Sequence, residues 1–198
     1  ILLAIFFIMF FVATPLLVPF VVIGLIGVAG AGGLLLTQGY RMERITVWLD
    51  PAASEKGHQT IQGLYAIGSG GLFGKGLGQS MQKLGFLPEA NNDMIFSVIC
   101  EELGLFGALC VLALFFALIW RFMVIAVNAP DLYGSMIVVG VIAHIGIQVF
   151  INIAVATNTI PNTGIPLPFI SYGGSSLVFM LLEMGLVLSV SRYINVKK

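Results

Sequence analysis

The stretch DMIFSVICEELGLFGALCVLALFFALIWR at 93–121 decides the fold class. It is a nearly uninterrupted apolar run, and about 20 such residues are enough for a helix that crosses a bilayer. Similar apolar runs lie on both sides of it, at 1–14, 16–37, 132–156 and 177–194. The pattern predicts an all-α, polytopic membrane protein with about five transmembrane helices.

The composition agrees with a membrane protein and excludes one class of function. Hydrophobic residues make up 59% of the 198 residues and charged residues only 9%, whereas soluble domains carry about 25% charged residues. Nine basic and nine acidic residues give a net charge of zero, so we expect no binding of nucleic acid. Cys100 and Cys110 lie in one apolar run and are interpreted as small hydrophobes, not as a disulfide or a metal site.

Two segments between the apolar runs have a different character. The first, at 38–92, carries charged residues and the glycine-rich stretch GSGGLFGKGLG at 68–78. We predict that it is a large external loop that packs on the membrane surface. The second, at 157–176, is rich in proline and glycine, and such irregular backbone must be buried in protein or line a cavity. Basic residues, Arg121 among them, lie at the helix ends on the side of the membrane away from these two segments. They indicate that this side is cytoplasmic.

Three motifs resemble the RodA/FtsW/SpoVE family. They are YRMERITVWLDP at 40–51 followed by QTIQGLYAIGSGGLFGKGLG at 59–78, then KLGFLPEANNDMIFSVICEELG at 83–104, and finally PNTGIPLPFISYGGSS at 161–176. Their order and spacing match the family over most of the chain. The GSGG and SYGGSS stretches lean slightly toward FtsW, whereas Asn162 is unusual in the last motif.

The resemblance implies the C-terminal half of a roughly ten-helix membrane fold. It also implies a bacterial enzyme of the cytoplasmic (inner) membrane that polymerises lipid II into glycan strands, with an external catalytic loop. A class B penicillin-binding protein is the implied partner. The motifs leave open whether the protein serves cell division, elongation or sporulation.

Asp93 is the catalytic candidate. It follows PEANN directly at the predicted start of a membrane helix, so its carboxylate is expected at the external water boundary. The resemblance makes it the catalytic aspartate, and glycosyl transfer needs a base that accepts the proton of the attacking hydroxyl. Position alone leaves helix capping open, because Asp is a favoured N-cap residue.

The loop at 38–92 supplies candidate ligands for the substrate. The implied substrate carries a pyrophosphate, and Arg41, Arg44 and Lys83 are predicted to bind it, with glycines letting backbone amides approach. Salt bridges within the loop are the alternative role for these residues. Gln59 and Gln62 are three residues apart and share a face of a short predicted helix, where they bind sugar or cap the helix.

Acidic and hydroxyl side chains complete the predicted site. Glu89 is a second acid, a ligand for a divalent cation (Mg²⁺ or Mn²⁺), or an ordinary loop carboxylate. Glu101 and Glu102 lie further along the same helix and are expected to face the substrate groove or to pair within the protein. Ser171 belongs to a small-residue turn that supports the cavity wall and is included as a substrate contact.

Polar residues inside the predicted spans leave other functions open. His144 is interpreted as a packed, hydrogen-bonded residue and not as a metal ligand, and Glu183 as a functional or paired carboxylate. Broken helices and intramembrane carboxylates also occur in transporters. A lipid II flippase and a noncatalytic scaffold that activates a penicillin-binding protein therefore remain alternatives to the polymerase.

Overall fold

The computed structural model describes residues 1–14, 21–22, 24–25, 27, 39–54 and 57–194. These residues form helices and no strand, which confirms the all-α fold class. The α-helices with defined bounds are α1 (Leu2–Ala13), α2 (Gly39–Leu49), α3 (His58–Gly70), α4 (Ile95–Val127), α5 (Leu132–Ala156) and α6 (Gly174–Arg192). Most of the helix predicted at 16–37 lies outside the described residues.

Three of the described helices are long and apolar enough to cross a membrane, namely α4, α5 and α6. The bounds of α5 agree with the predicted 132–156. Helix α4 begins two residues after the predicted start and continues past Arg121 to Val127. Helix α6 begins at Gly174, three residues before the predicted start.

The segment at 38–92 is more regular than a loop. It contains α2, α3 and two short 3-10 helices, Pro51–Ala53 and Gln82–Leu84. Helix α3 packs along the first part of α4, and a Cβ built on Gly63 of α3 would lie 3.3 Å from the Ser97 hydroxyl. The predicted loop is therefore a helical layer against the bundle.

Helix α4 is broken at Gly104. The backbone there has φ 66° and ψ −166°, which is outside helical geometry and strained for any residue other than glycine. A break of this kind leaves backbone groups of the neighbouring turns without helical partners, so they need partners elsewhere. It divides α4 into residues 95–103 and 105–127.

The lengths of α4 and α5 show that the break bends the helix. A straight helix of the 33 residues of α4 would be about 50 Å long. Two hydrogen bonds join the ends of α4 to α5: the Ser135 hydroxyl donates to the carbonyl of Ala126, and the Asn152 amide donates to the carbonyl of Asp93. Ser135 and Asn152, however, are only about 26 Å apart along the axis of α5. Residues 95–103 are therefore turned away from the axis of the rest of α4.

The glycine-rich turn after α3 fills the break. The amides of Lys75 and Gly76 donate to the carbonyls of Glu101 and Glu102, each at 2.9 Å. In the other direction, the amides of Leu105 and Phe106 donate to the carbonyls of Gly71 and Leu72, at 2.9 and 3.2 Å. The turn thus supplies the hydrogen bonds that the broken helix lacks.

Glycine is required at these contacts because the two backbones touch. A Cβ on Gly70 would lie 1.9 Å from the Cys100 carbonyl oxygen, and one on Gly74 would lie 2.2 Å from the Glu102 carbonyl oxygen. Both distances are far inside van der Waals contact. Close packing on α4 therefore accounts for this part of the glycine-rich stretch.

Helices α5 and α6 are joined by a polar contact between the spans. Nδ1 of His144 lies 2.7 Å from Oε1 of Glu183, and its Nε2 lies 3.0 Å from the side-chain nitrogen of Gln148. This confirms His144 as a hydrogen-bonded residue and Glu183 as a paired carboxylate.

Candidate functional site

Asp93 lies in the turn just before α4. The helix begins at Ile95, and its N-cap is Met94, so Asp93 is not the cap of this helix. Only 8% of Asp93 is exposed, although it stands at the end of the bundle where α5 ends and α6 begins. A buried carboxylate without a capping role requires another explanation.

Hydrogen bonds from two amide side chains hold Asp93. Asn152, which is 1% exposed, donates at 2.7 Å to the Asp93 backbone carbonyl and at 2.9 Å to that of Ile165. Gln59 of α3 donates to the carboxylate oxygen Oδ1 at 3.4 Å. Asn162 donates in turn to the Gln59 side-chain oxygen at 3.1 Å. Helix α3, helix α5 and the loop that follows α5 therefore hold Asp93 in place.

Burial raises the pKa of the Asp93 carboxyl above its ordinary value of 3.8. Hydrogen bonding to its own backbone opposes this rise, and the negative charge of Glu89 adds to it. The hydrogen bond from Gln59 lowers the pKa again, because it stabilises the carboxylate form. Asp93 is thus a stronger base than an aspartate in water.

The carboxylate opens into a cavity of about 240 Å³. Pockets for drug-sized ligands typically measure about 300–1,000 Å³, so this cavity fits the reacting part of a larger molecule. It lies between α2, α3 and the loop that follows α5, and its lining residues are Glu43, Arg44, Val47, Trp48, Thr60, Asp93, Asn162 and Gly164. The cavity brings a base, a cation and an aromatic side chain together.

Helix α2 is tied to the loop that follows α5. Arg44 donates to the Asn162 carbonyl at 3.0 Å, and the Trp48 indole donates to the Asn158 carbonyl at 2.9 Å. These bonds hold one wall of the cavity in place.

The predicted phosphate ligands are separated by the structure. Arg44 lines the cavity with Asp93, whereas the Lys83 ammonium lies 2.5 Å from a carboxylate oxygen of Glu102. The backbone of Arg41 belongs to α2, but its side chain lies outside the described residues. Only Arg44 is therefore seen beside the candidate base.

Glu101 is paired within the protein and is fully buried. Its carboxylate accepts from the Lys75 ammonium at 2.7 Å and from the Ser80 hydroxyl at 2.5 Å, and the amides of Met81 and Gln82 approach at 3.3 Å. The pairing alternative is confirmed for both Glu101 and Glu102. They fasten the segment at 75–83 to α4.

Glu89 is exposed and stands on a left-handed backbone position with φ 52°. Its carboxylate accepts a hydrogen bond from the Asn92 side chain. It is near enough to act on the pKa of Asp93. In the described part of the chain, however, no three His, Cys, Asp or Glu side chains gather as a metal site.

Ser171 holds the last loop to the Asp93 turn. Its hydroxyl donates to the Asn92 carbonyl at 2.6 Å and accepts from the Leu167 amide at 2.7 Å. The next residue, Tyr172, donates its amide to the Asn91 carbonyl at 2.8 Å. These bonds agree with the predicted support of the cavity wall.

Gln59 and Gln62 differ, although both belong to α3. Gln59 reaches the carboxylate of Asp93, whereas Gln62 is half-buried and makes no side-chain hydrogen bond to the described residues.

The sequence analysis missed Asn152 as a site residue. Its spacing of four from Gln148, and of eight from His144, was the available signal, because residues at this spacing share a helix face.

The comparisons with known proteins cover nearly the whole chain. The model of the FtsW/RodA/SpoVE family, described as cell cycle protein, matches residues 1–196. Stage V sporulation protein E of Bacillus subtilis (strain 168) is 55% identical over 190 residues, which are 94% of this chain and 51% of that protein. The probable peptidoglycan glycosyltransferase FtsW of Geobacter sp. (strain M18) is 44% identical over 170 residues, 85% of this chain and 46% of that protein. The chain thus spans about half the length of these curated relatives.

Solved structures share the fold. A chain from a peptidoglycan synthase complex, described for its structural coordination of polymerization and crosslinking, matches with a TM-score of 0.74 and 29% identity. The match covers 98% of this chain and 55% of that one. The rod shape determining protein RodA of Thermus thermophilus matches with a TM-score of 0.51 and 38% identity, over 67% of this chain and 39% of that one.

Proposed function

Because the chain belongs to the FtsW/RodA/SpoVE family of multi-pass membrane proteins, we propose that it forms the catalytic part of a peptidoglycan glycosyltransferase. It would polymerise lipid II into glycan strands at the outer face of the bacterial cytoplasmic membrane. Relatives named as glycosyltransferases support this reaction class. The observation that carries the proposal is the buried Asp93 carboxylate, which faces a cavity that also contains Arg44.

In the proposed reaction, Asp93 is the general base. It takes the proton of the acceptor sugar hydroxyl while the oxygen attacks the anomeric carbon of the donor. The bond from that carbon to the lipid diphosphate breaks, and the diphosphate leaves with the electron pair. A raised pKa suits this role, because a base is most effective when its pKa approaches the working pH.

Arg44 is the proposed partner of the leaving diphosphate. A guanidinium presents a planar fork of donors that matches phosphate oxygens, and its charge offsets the charge that develops there. The proposal favours Arg44 over Lys83, since Lys83 is already paired with Glu102. Arg41 remains a second candidate on the same helix.

Gln59, Asn152 and Ser171 are proposed to position the base. Asn152 holds the Asp93 backbone, Gln59 orients the carboxylate, and Ser171 ties down the preceding turn. Direct contacts of Gln62, Glu101 and Ser171 with substrate stay predictions from sequence.

A divalent cation would be bound by a carboxylate beside the base. Mg²⁺ is commonly bound by one or two carboxylates together with substrate phosphates, and Glu89 would supply the carboxylate here, leaving Asp93 as the base. Bound there, the ion would neutralise charge on the diphosphate.

A class B penicillin-binding protein is the proposed partner. The supporting observation is the similarity to a chain of a peptidoglycan synthase complex. The identity is 55% to a SpoVE protein and 44% to an FtsW protein. The slight lean toward FtsW therefore stays a prediction.

The test is glycan-strand formation from purified lipid II by the full-length protein with its partner. We expect Asp93→Asn to abolish the polymer. Asp131→Asn is the matched control, because Asp131 caps α5 at the opposite end of the bundle and should leave the polymer unchanged. Equal polymer from wild type and Asp93→Asn would make the partner the polymerase and this protein a scaffold. Translocation of lipid II in proteoliposomes without polymer would instead favour the flippase.

A further inference from the structure

The turn that fills the break in α4 carries large apolar side chains on its surface. Leu72, Phe73 and Leu77 are 57%, 78% and 77% exposed, and they stand beside the similarly exposed Leu105 and Phe106 of α4. We call these five residues the apolar rim. Exposed apolar patches of this kind mark a surface that meets another molecule or a membrane.

Contacts fix the rim against one level of α4. The Phe73 and Phe106 rings stack with their centres 5.2 Å apart. The Leu72 carbonyl accepts from the Phe106 amide at 3.2 Å. These contacts hold the tip of the turn at the position where α4 resumes after Gly104.

The length of α4 would place that position at the outer edge of the hydrocarbon layer. The unbroken part of α4, residues 105–127, is about 35 Å long, close to the ~30 Å thickness of a bilayer core. Below the rim, α4 continues with exposed apolar side chains such as Leu109 and Leu114. The rim is thus continuous with an exposed apolar surface of α4, a helix that is long and apolar enough to cross a membrane.

The charged residues of the turn are arranged for such a boundary. Lys75 and Lys83 are paired with Glu101 and Glu102 on α4, and about a third of each lysine side chain is exposed. Because both ammonium groups are held at carboxylates of α4, the apolar stems of the two lysines can line the rim. Within the described residues 71–83, no unpaired lysine then opposes insertion of the tip.

We propose that the apolar rim is inserted into the outer leaflet of the bilayer, with lipid acyl chains as its binding partner. The rim would hold α3 and residues 95–103 of α4 at a fixed height on the membrane. This inference does not depend on the proposed reaction, because it concerns the contact of the turn with lipid.

Spin labels on single cysteines test the proposal in the full-length protein in lipid nanodiscs. The label replaces Phe73 or, separately, Leu77, after Cys100 and Cys110 have been changed to Ala. Leu114→Cys, in the middle of α4, is the lipid-facing control, and the exposed Ala52→Cys, in the turn after α2, is the aqueous control.

We expect the labels at Phe73 and Leu77 to collide with oxygen more than with a water-soluble nickel chelate, as at Leu114. Collision mainly with the nickel chelate, as at Ala52, would overturn the proposal by showing that the rim faces water. Low collision with both reagents would also overturn it, because the rim would then be covered by protein. Leu77→Cys leaves the Phe73 ring stack intact, so the two labels separate lipid contact from local unfolding.

Discussion

Replacement of Lys75 by Met tests the ion pair that fastens the glycine-rich turn to α4. Glu101 is fully buried and lies 2.7 Å from the Lys75 ammonium. Removing one partner of a buried ion pair typically costs about 3–5 kcal/mol, because a buried charge is left without compensation. The Ser80 hydroxyl and two amides still donate to Glu101, so we expect Lys75→Met to cost about 2–4 kcal/mol.

The reverse change should be milder. In Glu101→Gln, the remaining Lys75 is about one-third exposed and can turn to water, and the amide oxygen still accepts a hydrogen bond. We expect a cost of about 1–2 kcal/mol. The double variant should cost no more than Glu101→Gln alone, since no buried charge remains. The two single costs therefore should not add, and the coupling should be about 2 kcal/mol or more.

The measurement is the free energy of unfolding of the full-length protein in detergent micelles, from an SDS titration followed by circular dichroism. Lys83→Met is the matched control. Its partner Glu102 remains 12% exposed, so this change should cost about 1 kcal/mol or less. Equal costs for Lys75→Met and Lys83→Met, or additive single costs in the cycle, would refute the account of the buried Glu101.

Four further changes probe the site itself. Glu89→Gln should lower the pKa of Asp93, so the acidic limb of the pH profile of polymerisation should move to lower pH. Gln59→Leu should raise this pKa and move the acidic limb to higher pH. Because the pKa of Asp93 is raised in the folded protein, the stability of the wild type declines as pH rises through that pKa. The Asp93→Asn variant should therefore unfold at a higher temperature than the wild type at pH 7. The difference in unfolding temperature should vanish below pH 3.8, the ordinary pKa of the group. Asn152→Leu leaves two backbone carbonyls without a donor and should cost about 2–4 kcal/mol of unfolding free energy in the same SDS titration. It should also lower kcat more than it raises KM. An unchanged kcat would argue against a role of Asn152 in positioning Asp93.

The spans could be predicted because an apolar run of sufficient length is a local property of the sequence. The bounds of α5 agreed with the prediction, since Asp131 caps its start with a bond from the Gly134 amide. The end of α4 was predicted at Arg121, but the helix continues to Val127. A single arginine does not end a helix, because its long side chain can reach water from the helix surface.

The partners of Asp93 could not be predicted from spacing. Asn152 lies 59 residues away and Gln59 34 residues away, and they meet only because the bundle and α3 bring them together. The choice between Arg44 and Lys83 depended on the same folding, since both are basic residues of one segment. A motif can point to a candidate carboxylate, whereas the residues that position it are brought together only by the tertiary structure.

The glycine-rich stretch carries the most physical information about how the site is built. Glycines near basic residues suggested backbone amides that approach phosphate, but Gly70 and Gly74 instead bring the turn into contact with α4. That contact satisfies the backbone at Gly104 and lets α4 bend. Without the bend, a straight α4 would carry Asp93 some 20 Å beyond Asn152, since their distances from the inner end of the bundle are about 50 and 26 Å along the two helices. The break therefore brings Asp93 to the end of α5 beside Asn152, where the proposed base would meet the head group of the proposed lipid-linked substrate.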